Sequence, residues 1–457
     1  MMGASLAGSR RIVAAFAVAA ALVCGALSTP VTAAPDDDAP RTFQFALQNG
    51  MQVLVVPDHR APVVTQMLWF RVGSDDDPPG YSGLAHFFEH MMFRGTKTVP
   101  GSQFSQIIAR NGGQDNAFTT HDYTAFYEQI AKDHLRLAMR LEADRMVNLD
   151  LSDANVRTER NVVLEERRMR VDNNPQSLMA EQMAAALFLS HPYGRPVIGW
   201  PEEIRRIGTV EARDFYLHHY APNNATLVVA GDVTPEEVRA AAEAEFGKVP
   251  PRELVPRYEF AQPERLGPTR LTVSRADVKV PVFQRLYRVP SYAEAQPGEA
   301  EALDTFAQLL GGDTTAALYR ELVVKRKIAI DAGASYDGFN RDDGTFGIYA
   351  VPRPGVSLAA VEKAADAVLA HYLANAPAAD EFNRAKTQLV ASALYRRDSQ
   401  FAMASTYGQA LSIGLTINDV DAWPTRIKAV TADNLRKVAA RDLILKESVT
   451  GYLRPGK

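Results

Sequence analysis

The sequence predicts an α+β fold of two similar domains, each a mostly antiparallel sheet packed with helices. Three observations predict it. Strand-like apolar runs and helical stripes recur in both halves of the chain. Between the halves, Lys248 to Pro268 holds five prolines and no clear periodicity, the composition of an interdomain linker. The halves also end alike: Thr209 opens a helix and the strand carrying Leu227 follows eighteen residues on, while Thr431 and Val449 repeat that spacing. The expected boundaries are a leader at 1–33, a first domain at 41–247, a linker at 248–268 and a second domain at 269–457.

At 457 residues, 46% hydrophobic and 23% charged, the chain has an ordinary globular composition and room for two or three domains. A net charge of −4 argues against a nucleic-acid partner. Arg10 and Arg11 precede an apolar run from Ile12 to Leu27, followed by Pro30-Val31-Thr32-Ala33-Ala34. That pattern is a secretory signal with cleavage near Ala33, too short and wrongly flanked for a stable membrane span. Cys24, the one cysteine, lies inside it. The mature chain therefore needs no disulfide, and a bacterial periplasm is its expected compartment.

After the polar Asp36-Asp37-Asp38, Phe43 to Val56 reads as two strands around the turn Gln48-Asn49-Gly50, with a third strand from Val63 to Val72. A loop from Gly73 to Gly80 leads to Gly83-Leu84-Ala85-His86-Phe87-Phe88-Glu89-His90-Met91-Met92-Phe93. On a helix, His86 and His90 stand one turn apart on the same face and can both point an imidazole at one ion. Phe87, Phe88, Met91, Met92 and Phe93 make this helix apolar nearly all round, so it should be buried. Buried ionisable groups are costly unless paired or metal-bound. Two imidazoles and a carboxylate are a usual ligand set of a catalytic zinc, which leaves Glu89 as general base.

A helix from about Ser102 ends at Asn111-Gly112-Gly113. Asn116 to Thr120 and Tyr123 to Ile130 are short strand-like runs; Asp133 to Met146 and Ser152 to Val171 are expected helices. On the second of these, Glu159 and Glu166 lie two turns apart, within about 20° of one another, and Glu165 is turned away. A loop from Ser190 to Pro196, a helix from Thr209 to His219, a strand from Ala225 to Ala230 and a helix from Pro235 to Phe246 complete the first half. In the second, Leu271 to Val289 gives two strands and Phe346 to Val351 another. Helices are expected at Pro297 to Leu310, Leu358 to Tyr372 and Phe382 to Arg397. It has no counterpart of the histidine pair: His371 is its only histidine.

His86-Phe87-Phe88-Glu89-His90 and its flanks, through Arg94-Gly95-Thr96, resemble the signature of the pitrilysin, insulin-degrading enzyme and mitochondrial processing peptidase superfamily, whose inverted zinc motif is His-x-x-Glu-His. Asn116-Ala117-Phe118-Thr119, Glu159 to Glu166, His191-Pro192-Tyr193, Tyr220-Ala221-Pro222-Asn223-Asn224 and Gly231-Asp232 are similar to further family stations, in order. The chain looks like the short two-domain bacterial type. The resemblance implies a zinc-dependent endopeptidase with Zn2+ held by His86, His90 and Glu166, Glu89 as base and Glu159 as supporting carboxylate. It also implies that Asn116, Ala117 and Phe118 pair with extended peptide substrates by β-augmentation; His191-Pro192-Tyr193 reads as structural.

One departure matters. Active members carry an arginine and, seven residues on, a tyrosine in the second domain as oxyanion donors. Here Val323 and Ile330 stand at those positions. The pattern resembles the zinc-bearing subunit of a heterodimer whose homologous partner supplies the pair. Tyr319 and Arg326 are nearby substitutes, and a non-catalytic assembly or binding subunit is the alternative from another class.

Overall fold

The described strands divide into two sheets of matching topology. The computed structural model describes residues 41–456, so the expected signal at 1–33 lies outside the described residues. The first sheet contains β1 (Phe43–Ala46), β2 (Gln52–Pro57), β3 (Val63–Phe70), β4 (Gln114–Thr119), β5 (Thr124–Ala131) and β6 (Ala225–Gly231), in the order β1-β2-β6-β3-β5-β4. The second contains β7 (Thr269–Arg275), β8 (Val282–Val289), β9 (Ala329–Asp337), β10 (Gly344–Pro352) and β11 (Ser448–Pro455), in the order β7-β11-β8-β10-β9. With β1 set aside the two orders coincide. Each sheet has one parallel pair, β2 with β6 and β7 with β11, and is otherwise antiparallel.

Alternation along the strands gives each sheet two apolar faces. On β3, Val64, Leu68 and Phe70 join the large core under the helices of the first half, while Met67 and Trp69 point the other way. That second face is covered by a helix from the other half of the chain, Gln400–Ser412, through Met403, Ala404 and Tyr407. Gly408 sits there because any side chain would run into the Trp69 indole. The exchange is reciprocal. Helix Pro175–Leu187 of the first half lays Met179, Met183 and Leu187 on the second sheet, against Val282, Val449 and Leu453. Each half thus completes the other's core.

Caps set both exchanged helices: Asn174 accepts N–H bonds before Pro175 at the first helical position, and Ser399 caps the other. Neither helix is among those expected above, nor is β9, whose Ala329-Ile330-Asp331-Ala332-Gly333-Ala334 run lacks strand-like alternation. The helix expected from Ser152 to Val171 ends at Arg167, and Arg168–Asp172 winds on as a wider π-turn. Among the described residues, no helix is long and apolar enough to cross a membrane.

Candidate metal centre

The histidine motif forms a helix, Leu84–Met91, buried except at Glu89 and His90, which are half-buried. Its start is fixed by a carboxylate. Asp77, itself buried, accepts the backbone N–H of Gly83 at 2.7 Å and of Ala85 at 2.8 Å. Its two oxygens satisfy orphan donors at the helix start, and burial pushes its pKa up to about 8 against those two bonds. At the other end, the buried Arg145 guanidinium donates to the Met92 carbonyl at 3.4 Å and lies 3.9 Å from the Phe104 ring centre. Arg145 also pairs with the buried Glu142, which with the Arg145 charge compensates its burial.

Helical spacing places the His86 and His90 rings 4.8 Å apart. Helix Asp153–Arg167 packs across them and delivers Glu166. Its Oε2 lies 3.0 Å from His90 Nε2 and 3.6 Å from His86 Nε2, and one ligand atom from each residue falls within 4.8 Å of the others. Glu166 Oε1 pairs with Arg170 at 2.7 Å, which leaves the buried Oε2 facing the two rings. Two imidazole nitrogens and a carboxylate oxygen converging in this way suit a divalent transition metal with a position left open. The donor set therefore fits the ion that the motif implies.

The supporting groups are equally specific. His90 Nδ1 is 2.8 Å from Glu159 Oε1, and the other Glu159 oxygen accepts from Arg94. That contact orients the ring so that Nε2 faces Glu166. Burial lowers the basicity of His90, but its hydrogen bonds to Glu159 and Glu166 outweigh burial and push its pKa up to about 9. Burial and then neighbouring His90 push His86 down to about 4. Glu89 stands beside the cluster and accepts the Thr119 hydroxyl at 2.6 Å. Burial raises its pKa, with the Thr119 bond opposing.

Glu165 stays apart: it is exposed and paired with Arg168 at 3.0 and 3.1 Å. Asn116, Ala117 and Phe118 lie on β4, the edge strand, opposite Tyr127, Phe126 and Ala125 of β5. The Phe118 ring packs edge-on against Trp69 at 5.5 Å, so it is its backbone that the sheet edge presents. Thr119, at the end of the same strand, ties this edge to Glu89. His191 and Tyr193 join the halves: His191 Nε2 is 3.0 Å from Asp342, and the Tyr193 hydroxyl, which donates to Asp122 of its own half, accepts the Asp342 N–H at 3.2 Å. Val323 is buried in a π-turn and Ile330 stands half exposed on β9, neither with a polar group to offer.

No role at the site was expected of Asp77, Arg94, Thr119 or Arg145, although Arg94 and Thr119 stand in the stretches that carry the resemblance. Arg94 could have been found as the residue one turn beyond His90, and Asp77 as an acid six and eight positions before the N–H groups it caps; Thr119 and Arg145 meet the site only through tertiary contact.

Comparison with known proteins bears on the family and the fold. Residues 52–200 match the model of the insulinase family, peptidase family M16, and residues 210–389 match the M16 inactive domain. The chain is 27% identical over 419 residues to the zinc protease PqqE of Helicobacter pylori, covering 91% of this chain and 93% of that one. It is 32% identical over 311 residues to an uncharacterised zinc protease of Mycobacterium leprae, 66% of this chain and 67% of the relative. Among solved structures, a protease from Helicobacter pylori superposes with a TM-score of 0.85 at 26% identity, over 91% of this chain and all (100%) of that one. The periplasmic protease PqqL of Escherichia coli shares the fold at a TM-score of 0.76 and 18% identity, over 90% of this chain and 47% of PqqL.

Proposed function

Because the chain belongs to the M16 family of peptidases, we propose that it is a zinc metalloendopeptidase, with His86, His90 and Glu166 holding Zn2+ and Glu89 as general base. The convergence of one atom from each of those three residues to within 4.8 Å, beside Glu89, carries the reading. Zinc, when bound, supplies Lewis acidity that lowers the pKa of a water and polarises the scissile carbonyl. Glu89 takes the proton from the attacking water and passes it to the leaving nitrogen; a carboxylate made more basic by burial suits that work near neutral pH. Glu159 acts through His90, as a positioning residue. An extended peptide adds to the β4 edge at Asn116, Ala117 and Phe118, with main-chain hydrogen bonds holding it in register past Thr119 and Glu89.

In this reading residues 41–247 are the zinc-bearing domain, 248–268 a linker and 269–457 the homologous domain without zinc. The leader exports the chain to the periplasm, with cleavage near Ala33. Val323 and Ile330 supply no oxyanion donors, so a homologous partner subunit carrying the arginine and tyrosine completes the site. Retention of three ligands and a base favours this over a non-catalytic assembly subunit.

Titrating the metal-free chain with zinc, while following metal binding and peptide cleavage together, tests the proposal. Activity should return in step with one bound zinc. Glu159→Gln, which leaves the ligands but loosens His90, should weaken zinc binding by about 10-fold to 100-fold. Cleavage that persists fully in the metal-free chain would overturn the reading.

A further inference from the structure

Glu166, the proposed third ligand, is followed directly by a buried arginine. Arg167 Nη1 donates to Glu181 Oε2 at 2.7 Å and to the Gly199 carbonyl at 2.8 Å, while Nη2 donates to Glu181 Oε1 at 3.0 Å. The guanidinium thus grips one carboxylate with both arms. The Trp200 ring centre lies 5.7 Å from the guanidinium carbon. Adjacent helical residues project about 100° apart, so Arg167 points away from the cluster that Glu166 faces.

Both partners of Arg167 bear on the centre. Gly199 lies against the start of the histidine helix: a side chain there would strike the Ser82 carbonyl and the Gly83 Cα, and the Trp200 N–H donates to the Ser82 hydroxyl at 2.9 Å. The two helices that carry the ligands are therefore referred to one backbone segment. Glu181, buried like its partner, belongs to the exchanged helix Pro175–Leu187, which rests on the second sheet. Between Arg167 and that helix runs the π-turn Arg168–Asp172, a wide turn of the kind often found at functional sites. Asp172 brings its carboxylate back to within 3.4 Å of Arg167 Nε, and its carbonyl accepts from Arg275 on β7 at 3.2 Å.

We propose that Arg167 is a positioning residue of the metal centre. Held by Glu181 and Gly199, it fixes the rotation of the helix end so that Glu166 meets His86 and His90, and it makes that geometry depend on the second half of the chain. The proposal rests on the metal site proposed above. Ligand groups need holding within about 0.5 Å and 10–20° of their working geometry. A twist of this helix end about its axis would carry Glu166 beyond that tolerance and leave the two imidazoles, on another helix, where they are. Arg170 cannot prevent such a twist, because it follows Glu166 on the same stretch of chain and is 73% exposed. A buried guanidinium bonded to a second helix and to a distant carbonyl can.

Zinc affinity by chelator competition and the visible spectrum of the cobalt-substituted chain test this, with thermal unfolding of the metal-free chain alongside. Arg167→Lys, which keeps the charge and loses the fork, should weaken zinc binding by about 10-fold and alter the cobalt spectrum. Glu181→Gln should do the same; it leaves Arg167 its bond to Gly199 and decides the matter if Arg167→Lys does not fold. Leu435→Ala, which opens a cavity in the core of the second half, is the control. It should lower the unfolding temperature at least as far and leave zinc affinity and cobalt spectrum as they were. Unchanged affinity and spectrum in either folded variant, or equal changes in Leu435→Ala, would overturn the role of Arg167 alone. Absence of zinc from the unaltered chain would overturn the metal centre and this role with it.

Discussion

Glu89→Gln should retain zinc and lose peptide cleavage by about 100-fold to 10,000-fold, the range that a positioned general base contributes. The substitution keeps the volume and the hydrogen-bonding reach of the side chain, so Thr119 still has a partner at the end of β4. What disappears is the ability to accept a proton beside the cluster. His86, His90 and Glu166 are untouched, and so is the Glu159 contact that orients His90. Zinc affinity within a few-fold of the original, together with a kcat loss of that size, is therefore the expected pair of results. Retained cleavage would remove Glu89 from the role of base, and joint loss of zinc and activity would make it a group that holds the metal.

An equally large effect should come from a second chain. Oxyanion donors are typically worth about 100-fold to 1,000-fold each, and in the proposed reading Val323 and Ile330 stand at the positions of a donor pair. The isolated zinc-loaded chain should thus cleave an extended peptide slowly. Adding a homologue that carries the arginine and the tyrosine seven residues later should raise kcat by about 100-fold or more. Removing either donor from that homologue should reverse most of the gain. Full activity in the isolated chain, indifferent to the homologue, would mean that groups of its own replace the pair; Arg326, now tied to Glu321 at 2.8 Å, and Tyr319 would be the first to substitute.

How much of this could be read beforehand depended on whether the information was local. The histidine pair at one-turn spacing and the two-turn spacing of Glu159 and Glu166 are local, and the structure brings all four together. The repeat was visible at its ends, where helix Thr209–His219 with β6 and helix Ala432–Asp442 with β11 recur. The exchanged helices were not. Pro175–Leu187 is alanine- and methionine-rich with apolar residues spread around it, so no stripe marks it, and its burial comes from a sheet that lies far along the chain. Asp77 was hidden by its composition instead. A run of three aspartates reads as a solvated loop, yet the third is buried and fixes the first turn of the histidine helix.

The most direct test of the centre is zinc stoichiometry in two neighbouring variants, Glu166→Gln and Glu165→Gln, dialysed against the same weak chelator. Glu166 Oε2 lies 3.0 Å from His90 Nε2, whereas Glu165 is exposed against Arg168. The account predicts about one zinc per chain in Glu165→Gln, as in the unaltered protein, and little or none in Glu166→Gln. Full zinc in Glu166→Gln, or its loss from Glu165→Gln alone, would contradict it.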